Sequence, residues 1–466
     1  MATQAKYAAV DGLHTFPRLL FHHATVRPNA PAMREKYLGI WQTWTWADVA
    51  DRVRALACGL ASLGFKRGDN LAIIGDNRPH LYMMMTAAQC LGGVPVPLYQ
   101  DAVAAEMLFV LQDAGVRFAI VEDQEQVDKL LEIKDQLPSL EHIVYDDPRG
   151  MRHYTQPFLH DVHELMEMGR IHDRNHSDFL NAEVEKGHFD DVSVMLYTSG
   201  TTGKPKGAMH THCALTYTVR GYNTLISRSE ADETMCFLPL CHIAERMGGE
   251  YFSLYTGARL NFVENPDTVP ENVREIAPTV FTAVPRVWEK FYSGVMIALK
   301  EGTRLQQAVY GWGIGVGHRI AELVMAGQPV PALLKAQFRL ARWLALDNVR
   351  KLIGIHRARF LVTGAAPISP ELVKWYLALG VPMLEVWGMT ETCGASTGVP
   401  IDRIKPGSIG PAASFNQLRL DPETGELQVK GANVFAGYLN LPEKTAETFT
   451  ADGWLRTGDV GTVDAD

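Results

Sequence analysis

The chain has 466 residues, of which 47% are hydrophobic and 21% are charged, and this length predicts two to four folding units. Lys and Arg number 44 against 53 Asp and Glu, which gives a formal charge of −9. The composition excludes disordered and fibrous proteins, and the lack of a basic run argues against a nucleic-acid-binding surface. Small-molecule chemistry is favoured.

Six cysteines are scattered without a C-x-x-C pair, which predicts reduced thiols, no structural zinc and a cytoplasmic location. The first fifteen residues contain charged side chains and no continuous apolar core, so no secretory signal is predicted. Residues 81–99 are uncharged, close to the length of a membrane span. Glycines and prolines in their second half predict a buried helix, a turn and a buried strand instead.

The first unit, residues 1–190, is predicted to be α/β. A helix over 46–63, closed by Gly64, precedes a strand over 70–75. Helices near 79–91, 103–114 and 124–136 and strands near 94–98, 117–121 and 142–145 then predict a parallel sheet covered on both faces. Residues 147–190 are polar and histidine-rich, which predicts a connecting segment; His172 and His176 have metal-pair spacing, but without a third ligand surface histidines are favoured.

The second unit, residues 191–400, is also predicted to be α/β, with strands near 234–239, 258–263, 279–284, 358–363 and 382–387. Residues 286–353 are predicted to be mostly helical. Glycines at 311, 313, 315 and 317 resemble a dinucleotide-binding run, but no strand precedes them, and helix packing is favoured. From residue 401 to 466 short strands and turns predict a small β-rich unit.

A strand at 193–197 leads directly into the segment T-S-G-T-T-G-K-P-K-G, residues 198–207. Its three glycines free backbone amides to turn inward, its four hydroxyls supply donors, and two lysines supply positive charge. This combination predicts a polyphosphate-binding loop. It differs from the P-loop of kinases and ATPases, which requires G-K-[ST], because Pro205 follows Gly203-Lys204.

The loop resembles the signature of the adenylate-forming superfamily, which includes acyl-CoA synthetases. Further family blocks follow in order: F-L-P-L-C-H at 237–242, T-G-A-A-P at 363–367, W-G-M-T-E at 387–391 and G-W-L-R-T-G-D at 453–459. The resemblance implies the large N-terminal domain of these enzymes, with two doubly wound α/β subdomains and a small barrel-like β-rich subdomain. It also implies that a carboxylate attacks the α-phosphorus of ATP, pyrophosphate leaves, and a thiol, usually coenzyme A, displaces AMP from the acyl-adenylate.

The resemblance assigns roles to residues of this chain. Lys206, Thr390 and Glu391 are expected to act in catalysis, with Lys204 at a variable position, and Thr198 and Glu391 to bind Mg²⁺. His242 borders the acyl channel in the family, but a packed histidine is an equal alternative. Trp387 stands where the family more often has Tyr, so stacking on adenine is expected without a hydroxyl contact. The expected nucleotide-binding residues are Thr198, Ser199, Gly200, Thr201, Thr202, Gly203, Lys206, Gly364, Ala365, Ala366, Pro367, Glu385, Val386, Trp387, Gly388, Thr390 and Asp459.

The segment V-P-R-V-W-E-K at 284–290 and the helical insertion after it resemble the long-chain fatty acyl-CoA synthetase branch. The expected substrates are ATP, a hydrophobic carboxylic acid and coenzyme A. A steroid or aromatic acid stays open as an alternative, as do peripheral contact with a membrane and the oligomeric state. The family continues into a mobile C-terminal domain that carries a catalytic lysine, and no counterpart precedes Asp466. A truncated chain is therefore expected, with a naturally short protein as the remaining option. A module that binds nucleotide or acyl-adenylate without full turnover is the non-enzyme alternative.

Overall fold

The computed structural model of the protein describes residues 13–198 and 203–465. Its first part, up to residue 190, alternates helices and strands. The strands are β1 (Pro31–Tyr37), β2 (Ile40–Thr45), β3 (Asn70–Ile74), β4 (Val94–Leu98), β5 (Phe118–Val121), β6 (His142–Tyr145) and β7 (Leu159–Asp161). The helices are α1 (Phe16–Val26), α2 (Trp46–Ser62), α3 (Pro79–Cys90), α4 (Ala104–Asp113), α5 (Gln124–Ile133), α6 (Val162–Asn175) and α7 (Phe179–Lys186).

Five parallel strands in the order β4-β3-β5-β6-β7 form the first sheet, which confirms the predicted α/β class. Both faces are covered, as the sequence predicts. On β3, Leu71 and Ile73 belong to the core that contains α2 and α3, whereas Ala72 and Ile74 belong to the core that contains α4 and α5. Alternate residues of a strand point to opposite faces, so one apolar run contributes to two cores.

The predicted helix over 46–63 shows how local signals set an element. The Thr45 hydroxyl accepts a hydrogen bond from the Asp48 amide, and the Asp48 carboxylate accepts one from the Thr45 amide, forming a capping box at the start of α2. Gly64, with a φ of +89°, follows the helix end. Both boundaries were therefore readable from the sequence.

Residues 147–190 are more structured than the predicted connecting segment. β7 extends the parallel sheet beside β6, and α6 packs closely against α2. A Cβ on Gly169 would lie 1.8 Å from the Ala55 carbonyl oxygen, so only glycine permits this approach. The rings of His172 and His176 stack with centroids 4.5 Å apart, and no cluster of three metal-binding side chains occurs in the described residues. The single buried face of α6 left its composition polar enough to resemble a linker.

The second part begins at β8. Its strands are β8 (Val192–Thr198), β9 (Lys206–Thr211), β10 (Glu233–Cys236), β11 (Arg259–Phe262), β12 (Val280–Ala283), β13 (Phe360–Thr363), β14 (Met383–Met389), β15 (Gly394–Gly398), β16 (Asn416–Leu420), β17 (Glu426–Gly431), β18 (Gly437–Tyr438) and β19 (Leu455–Val460). The helices are α8 (His212–Ile226), α9 (Ile243–Glu245), α10 (Phe252–Thr256), α11 (Val269–Ile276), α12 (Pro285–Glu301), α13 (Arg304–Met325), α14 (Ala332–Ala341), α15 (Asp347–Leu352), α16 (Pro370–Ala378) and α17 (Pro442–Glu447).

Strands of the second part take part in four sheets, of which two have four strands, in the orders β10-β11-β1-β2 and β12-β13-β14-β15. β12, β13 and β14 are parallel, as are β10 and β11, and each strand predicted from the sequence is present. The hairpin of β1 and β2 was not predicted. β1 lies parallel to β11, so residues 31–45 extend a sheet whose other strands come more than 180 residues later in the chain.

The tail after residue 401 contains the predicted β-strands. β16, β17 and β19 form a three-stranded antiparallel sheet, whereas β18 pairs with β9 beside the hairpin of β8 and β9. In the described part of the chain this sheet does not close into the barrel-like form that was expected. The pairing of β18 instead ties the tail to the strands that flank the predicted phosphate loop.

Most of the uncharged residues 81–99 are buried, as predicted, because α3 and β4 lie inside the first unit; Tyr99, at the end of the segment, is exposed. In the described residues no helix combines the length and the apolar character that a membrane span requires. Residues 286–353 form α12 to α15, which confirms the helical insertion. Of its alternate glycines, Gly317 lies against the Ala378 backbone and Gly313 against Leu346, which supports the packing interpretation.

Candidate active site

The predicted phosphate loop connects β8 to β9. The register of this antiparallel hairpin places Thr198 opposite Lys206, so the hydroxyl and the ammonium group stand on adjacent strands at the loop's base. Ser199, Gly200, Thr201 and Thr202 lie outside the described residues.

The two lysines of the loop have different surroundings. The Lys204 ammonium lies 4.9 Å from the Phe109 ring centroid, whereas that of Lys206 lies 4.3 Å from the Tyr438 ring centroid. Lys206 is half-buried and Lys204 is exposed. Of the two lysines, only Lys206 therefore lies beside Tyr438 in the candidate site.

Tyr438 connects this lysine to the predicted metal ligand. Its hydroxyl donates a 2.5 Å hydrogen bond to Oε1 of Glu391, which is buried. Burial and this hydrogen bond raise the pKa of Tyr438, so the phenol stays protonated and keeps donating. A cation, an aromatic ring and a carboxylate from three separate segments thus meet beside the loop.

Glu391 and Thr390 lie in a short 3₁₀ turn, Thr390–Thr392, directly after β14. The second carboxylate oxygen of Glu391, Oε2, has no hydrogen-bond partner among the described residues. One free hard oxygen suits Mg²⁺, which binds through one or two carboxylates together with phosphate and water oxygens. Glu391 therefore fits the predicted metal, with Thr198 on the neighbouring hairpin as the second predicted ligand.

The predicted adenine-binding segments are adjacent in the structure. Gly364 to Pro367 follow β13, and Glu385 to Gly388 belong to β14, the next strand of the sheet. A Cβ on Gly364 would lie 2.9 Å from the Val386 carbonyl oxygen, so glycine is required by backbone packing there. Ala365 has a φ of +66°, which is unfavourable for a residue with a side chain and is typical of functional turns.

Trp387 and Asp459 are in direct contact. The indole Nε1 donates a 2.8 Å hydrogen bond to Oδ2 of Asp459, which lies exposed on β19. The tryptophan that replaces the family's more usual tyrosine therefore still carries a polar group, and it orients the carboxylate expected to bind ribose. Nearby, burial raises the pKa of Glu385 to about 7, although its carboxylate accepts a 3.0 Å hydrogen bond from the Gly407 amide.

An apolar cavity of about 130 Å³ lies beneath these segments. Gly364, Ala365, Val386 and Gly388 line it, so it borders the predicted nucleotide site. The rest of its wall comes mainly from α8, the helical turns after His242, and the strands β12, β13 and β15. The structure thus joins an apolar space to the predicted adenylate-binding turns.

His242 also lines the cavity, which supports the channel interpretation over the packed-core alternative. Its Nδ1 accepts a 3.1 Å hydrogen bond from the Ala244 amide, which fixes the ring at the start of α9. Desolvation by the surrounding protein lowers the pKa of His242, which favours the neutral imidazole, although part of the residue is exposed.

Three residues of this region were missed in the sequence. Tyr438 stands in G-Y-L-N, Tyr222 inside an ordinary amphipathic helix and Arg228 between two serines, and none of these contexts carries a signature. Tyr222 donates a hydrogen bond to the Thr397 carbonyl, and Arg228 is a charged residue in the cavity wall. Only their positions in the folded chain reveal them.

Comparison with known proteins gives consistent matches. The family model described as AMP-binding enzyme matches residues 20–439. A long-chain-fatty-acid–CoA ligase from Xenopus laevis, ACSBG2, is 30% identical over 447 residues, which are 93% of this chain and 59% of that protein. The chain thus spans about three fifths of this relative's length.

Two solved structures share the fold at lower identity. The N-terminal domain of FACL13 from Mycobacterium tuberculosis superposes with a TM-score of 0.68 at 23% identity, covering 97% of each chain. The anthranilate CoA ligase AuaEII in complex with anthranoyl-AMP superposes with a TM-score of 0.73 at 21% identity, covering 97% of this chain and 76% of that one. These structures establish the fold.

Proposed function

Because this chain belongs to the AMP-binding enzyme family, we propose that it activates a hydrophobic carboxylic acid with ATP, forming an acyl-adenylate and then an acyl-CoA. The observation that carries this proposal is the shared wall of the two sites. Gly364, Ala365, Val386 and Gly388 line the apolar cavity and are also predicted nucleotide-binding residues. An acid bound in the cavity would hold its carboxylate beside the α-phosphate.

In the proposed reaction a carboxylate oxygen bonds to the α-phosphorus and pyrophosphate leaves. Lys206 supplies positive charge to the departing phosphates, and Thr390 donates to the α-phosphate. Trp387 and Asp459 hold the adenosine. Tyr438 fixes the Glu391 carboxylate through its hydrogen bond. These groups position and stabilise charge rather than transfer protons, which is how phosphoryl-transfer sites chiefly work.

Mg²⁺ is proposed as the metal, held by Glu391 and Thr198. Bound there, it would neutralise phosphate charge. ATP–pyrophosphate exchange tests the assignment: it should require Mg²⁺ and a carboxylic acid and fall severely in Glu391→Gln. The complete reaction with coenzyme A should release pyrophosphate and AMP rather than ADP. Glu423→Gln, in an exposed turn, is the matched control. Release of ADP and orthophosphate would refute the adenylation mechanism.

A long-chain fatty acid is the first proposed substrate, supported by the relative named as a long-chain-fatty-acid–CoA ligase. The cavity volume favours a second candidate, a compact or aromatic acid. About 130 Å³ is close to the roughly 150 Å³ of an engineered cavity that binds benzene, so a long chain would require side chains to move. The kcat/KM values for palmitate and benzoate in the exchange reaction discriminate between these candidates.

The non-enzyme alternative is a module that binds nucleotide or acyl-adenylate without full turnover. The chain spans 59% of its Xenopus relative. Thioester formation by this chain is therefore proposed and is not carried over from the relative's name. Binding of an acyl-AMP analogue without pyrophosphate exchange would favour the module. Acyl-CoA formation with coenzyme A would favour the enzyme.

We further propose a cytoplasmic protein that contacts membranes peripherally. Five of its six free cysteines are buried, which suits a reducing compartment. The outer face of α14 and the turn after it, termed the α14 stripe, is exposed and carries apolar and basic side chains: Leu333, Lys335, Arg339, Leu340, Trp343 and Leu344. Such a face suits an anionic lipid surface.

A further inference from the structure

Arg228 is a buried charge in the wall of an otherwise apolar cavity. It follows Ser227, which ends α8 in the left-handed conformation at a φ of +40°, and only 6% of Arg228 is exposed. Arginine is almost never this buried unless it is paired. Burying this charge lowers the stability of the folded state unless the surrounding groups compensate for the lost hydration.

The protein satisfies only part of the guanidinium group. Nη1 donates a 2.8 Å hydrogen bond to the Gly248 carbonyl, and Nη2 donates a 3.3 Å hydrogen bond to the Thr282 hydroxyl. Nε is buried and has no partner. Because a guanidinium carries five N–H donors, these two bonds leave donor capacity unused. Both partners, Gly248 and Thr282, line the same cavity, which places the guanidinium at its wall.

Arg228 also lacks a counter-ion. No carboxylate of the described residues forms an ion pair with it, and the nearby Asp232 is held by Arg359 at 2.6 Å. Burial lowers the pKa of Arg228 to about 10, so the group remains charged at neutral pH. The equally buried Arg246 is different, because it pairs with Glu250 at 2.7 Å. Of these two buried arginines, only Arg228 lacks a carboxylate partner. Its guanidinium carbon lies 4.2 Å from the ring centroid of Phe252, which also lines the cavity, so an aromatic face and two hydrogen bonds are what the protein offers this charge.

The strand register gives the depth of this charge. Thr282 pairs with Val362, two residues before Gly364, where the predicted adenylate turn begins. At about 3.3 Å per residue, the guanidinium's partner lies roughly 7 Å below that turn along the strand direction. An acid bound with its carboxylate at the turn would extend its body past Arg228.

We propose that Arg228 is a specificity-determining residue that selects acids bearing a second oxygen function, a hydroxyl, a keto group or a second carboxylate, several carbons from the reacting carboxylate. Such an oxygen would accept from the unused guanidinium donors and supply the missing polar partner. A purely hydrocarbon acid leaves those donors unpaired, and an unpaired buried donor penalises binding. This inference rests on the proposed function, because it assumes that the cavity holds the acid.

The test compares matched acids in ATP–pyrophosphate exchange: octanoate, 8-hydroxyoctanoate, a mid-chain oxo-octanoate and suberate. In the wild type at least one oxygenated acid should exceed octanoate about 10- to 100-fold in kcat/KM, the range expected for a hydrogen bond to a charged group. In Arg228→Met this preference should disappear, so that the ratio of kcat/KM for the oxygenated acid to kcat/KM for octanoate falls to about one. Arg228→Lys keeps the positive charge but loses the planar guanidinium, and it should retain part of the preference for the oxygenated acid over octanoate.

The outcomes separate two failures. Exchange with a wild-type preference for octanoate, or an oxygenated preference that survives Arg228→Met, would overturn the role of Arg228 alone. No exchange with any acid would overturn the proposed function, and calorimetric binding of the same four acids would then decide whether Arg228 selects oxygenated ligands. If Arg228→Met does not fold, as judged by its melting curve, the wild-type comparison and Arg228→Lys still decide the question.

Discussion

Single side chains set the properties of the candidate site. The indole of Trp387 and the carboxylate of Asp459 lie on different strands, 72 positions apart, and meet through one hydrogen bond. Glu391 depends in the same way on Tyr438, 47 positions away. At this scale the proposed function rests on pairs in which one partner is expected to bind ligand and the other holds that partner in place.

Replacing Asp459 tests the nucleotide end of the site. Asp459→Ala removes a charged acceptor, which typically costs about 1.5 to 3 kcal/mol, so an acyl-AMP analogue should bind about 10- to 100-fold more weakly in calorimetry. Trp387→Phe keeps an aromatic ring but loses the indole donor, and it should have a smaller effect. Glu423→Ala serves as the control in the same β-rich unit. Unchanged affinity in Asp459→Ala would exclude this residue from the site.

Glu385 should make stability depend on pH. Burial raises its pKa from 4.5 to about 7, so the folded state holds the proton more tightly than the unfolded state. The contribution of the Glu385 carboxyl to the free energy of unfolding is fully present below about pH 4.5, and it is lost as the pH rises toward 7. Glutamine does not ionise, so Glu385→Gln should not lose this stability. Between pH 4.5 and 8 its free energy of unfolding should rise by about 1 to 3 kcal/mol relative to the wild type.

Urea unfolding of both proteins at several pH values measures this difference, because contributions from other groups cancel between them. A difference that stays constant across the range would show that Glu385 keeps an ordinary pKa in the folded protein.

At the scale of elements, α13 offers a matched pair of glycines. A Cβ on Gly317 would lie 2.1 Å from the Ala378 carbonyl oxygen of α16, whereas Gly315 is exposed with nothing within 4 Å. Gly315→Ala should stabilise the protein by up to about 1 kcal/mol, since alanine favours helix. Gly317→Ala should destabilise the protein by about 1 to 2 kcal/mol, because the steric clash with the Ala378 carbonyl costs more than the helix propensity of alanine gains.

The urea midpoints of the two variants provide the measurement, with the wild type as reference. Equal stabilisation by both substitutions would mean that α13 and α16 are not packed backbone to backbone at Gly317.

At the scale of the whole molecule, the α14 stripe contrasts with a net charge of −9. Residues 332–346 contain no acid, and Asp347, the next acid in the chain, pairs with Arg342 and Arg350. We expect the chain to co-sediment with phosphatidylglycerol vesicles, less so at high salt, and Trp343→Ser to reduce binding severalfold. Leu38→Ser is the control, because Leu38 lies in the turn between β1 and β2, outside the α14 stripe, and its exposure of 70% is close to the 75% of Trp343. Equal losses in both variants would refute a lipid-binding stripe.

The sequence alone determined the elements and the chemistry of single segments. The capping box before α2, the alternation of helices with apolar strands and the hydroxyl-rich loop after β8 are patterns of neighbouring residues, and neighbours in the chain set periodicity, capping and turns. These patterns predicted the α/β class, most strand positions and the blocks on which the family resemblance rests. They failed for the hairpin of β1 and β2, whose pairing with β11 is distant in the chain. They also failed for α6, although its buried residues Val162, Leu165, Met166 and Gly169 follow helical spacing, because the polar composition of residues 147–190 favoured a connecting segment.

Only the tertiary structure decided which distant groups meet. Sheet pairing and register place Lys206 beside Tyr438, β1 beside β11 and Thr282 level with Val362. A local pattern records that a residue is buried but not what it is buried against. For that reason the sequence around Arg228, between two serines, gives no sign that in the fold this residue is a buried cation in the cavity wall.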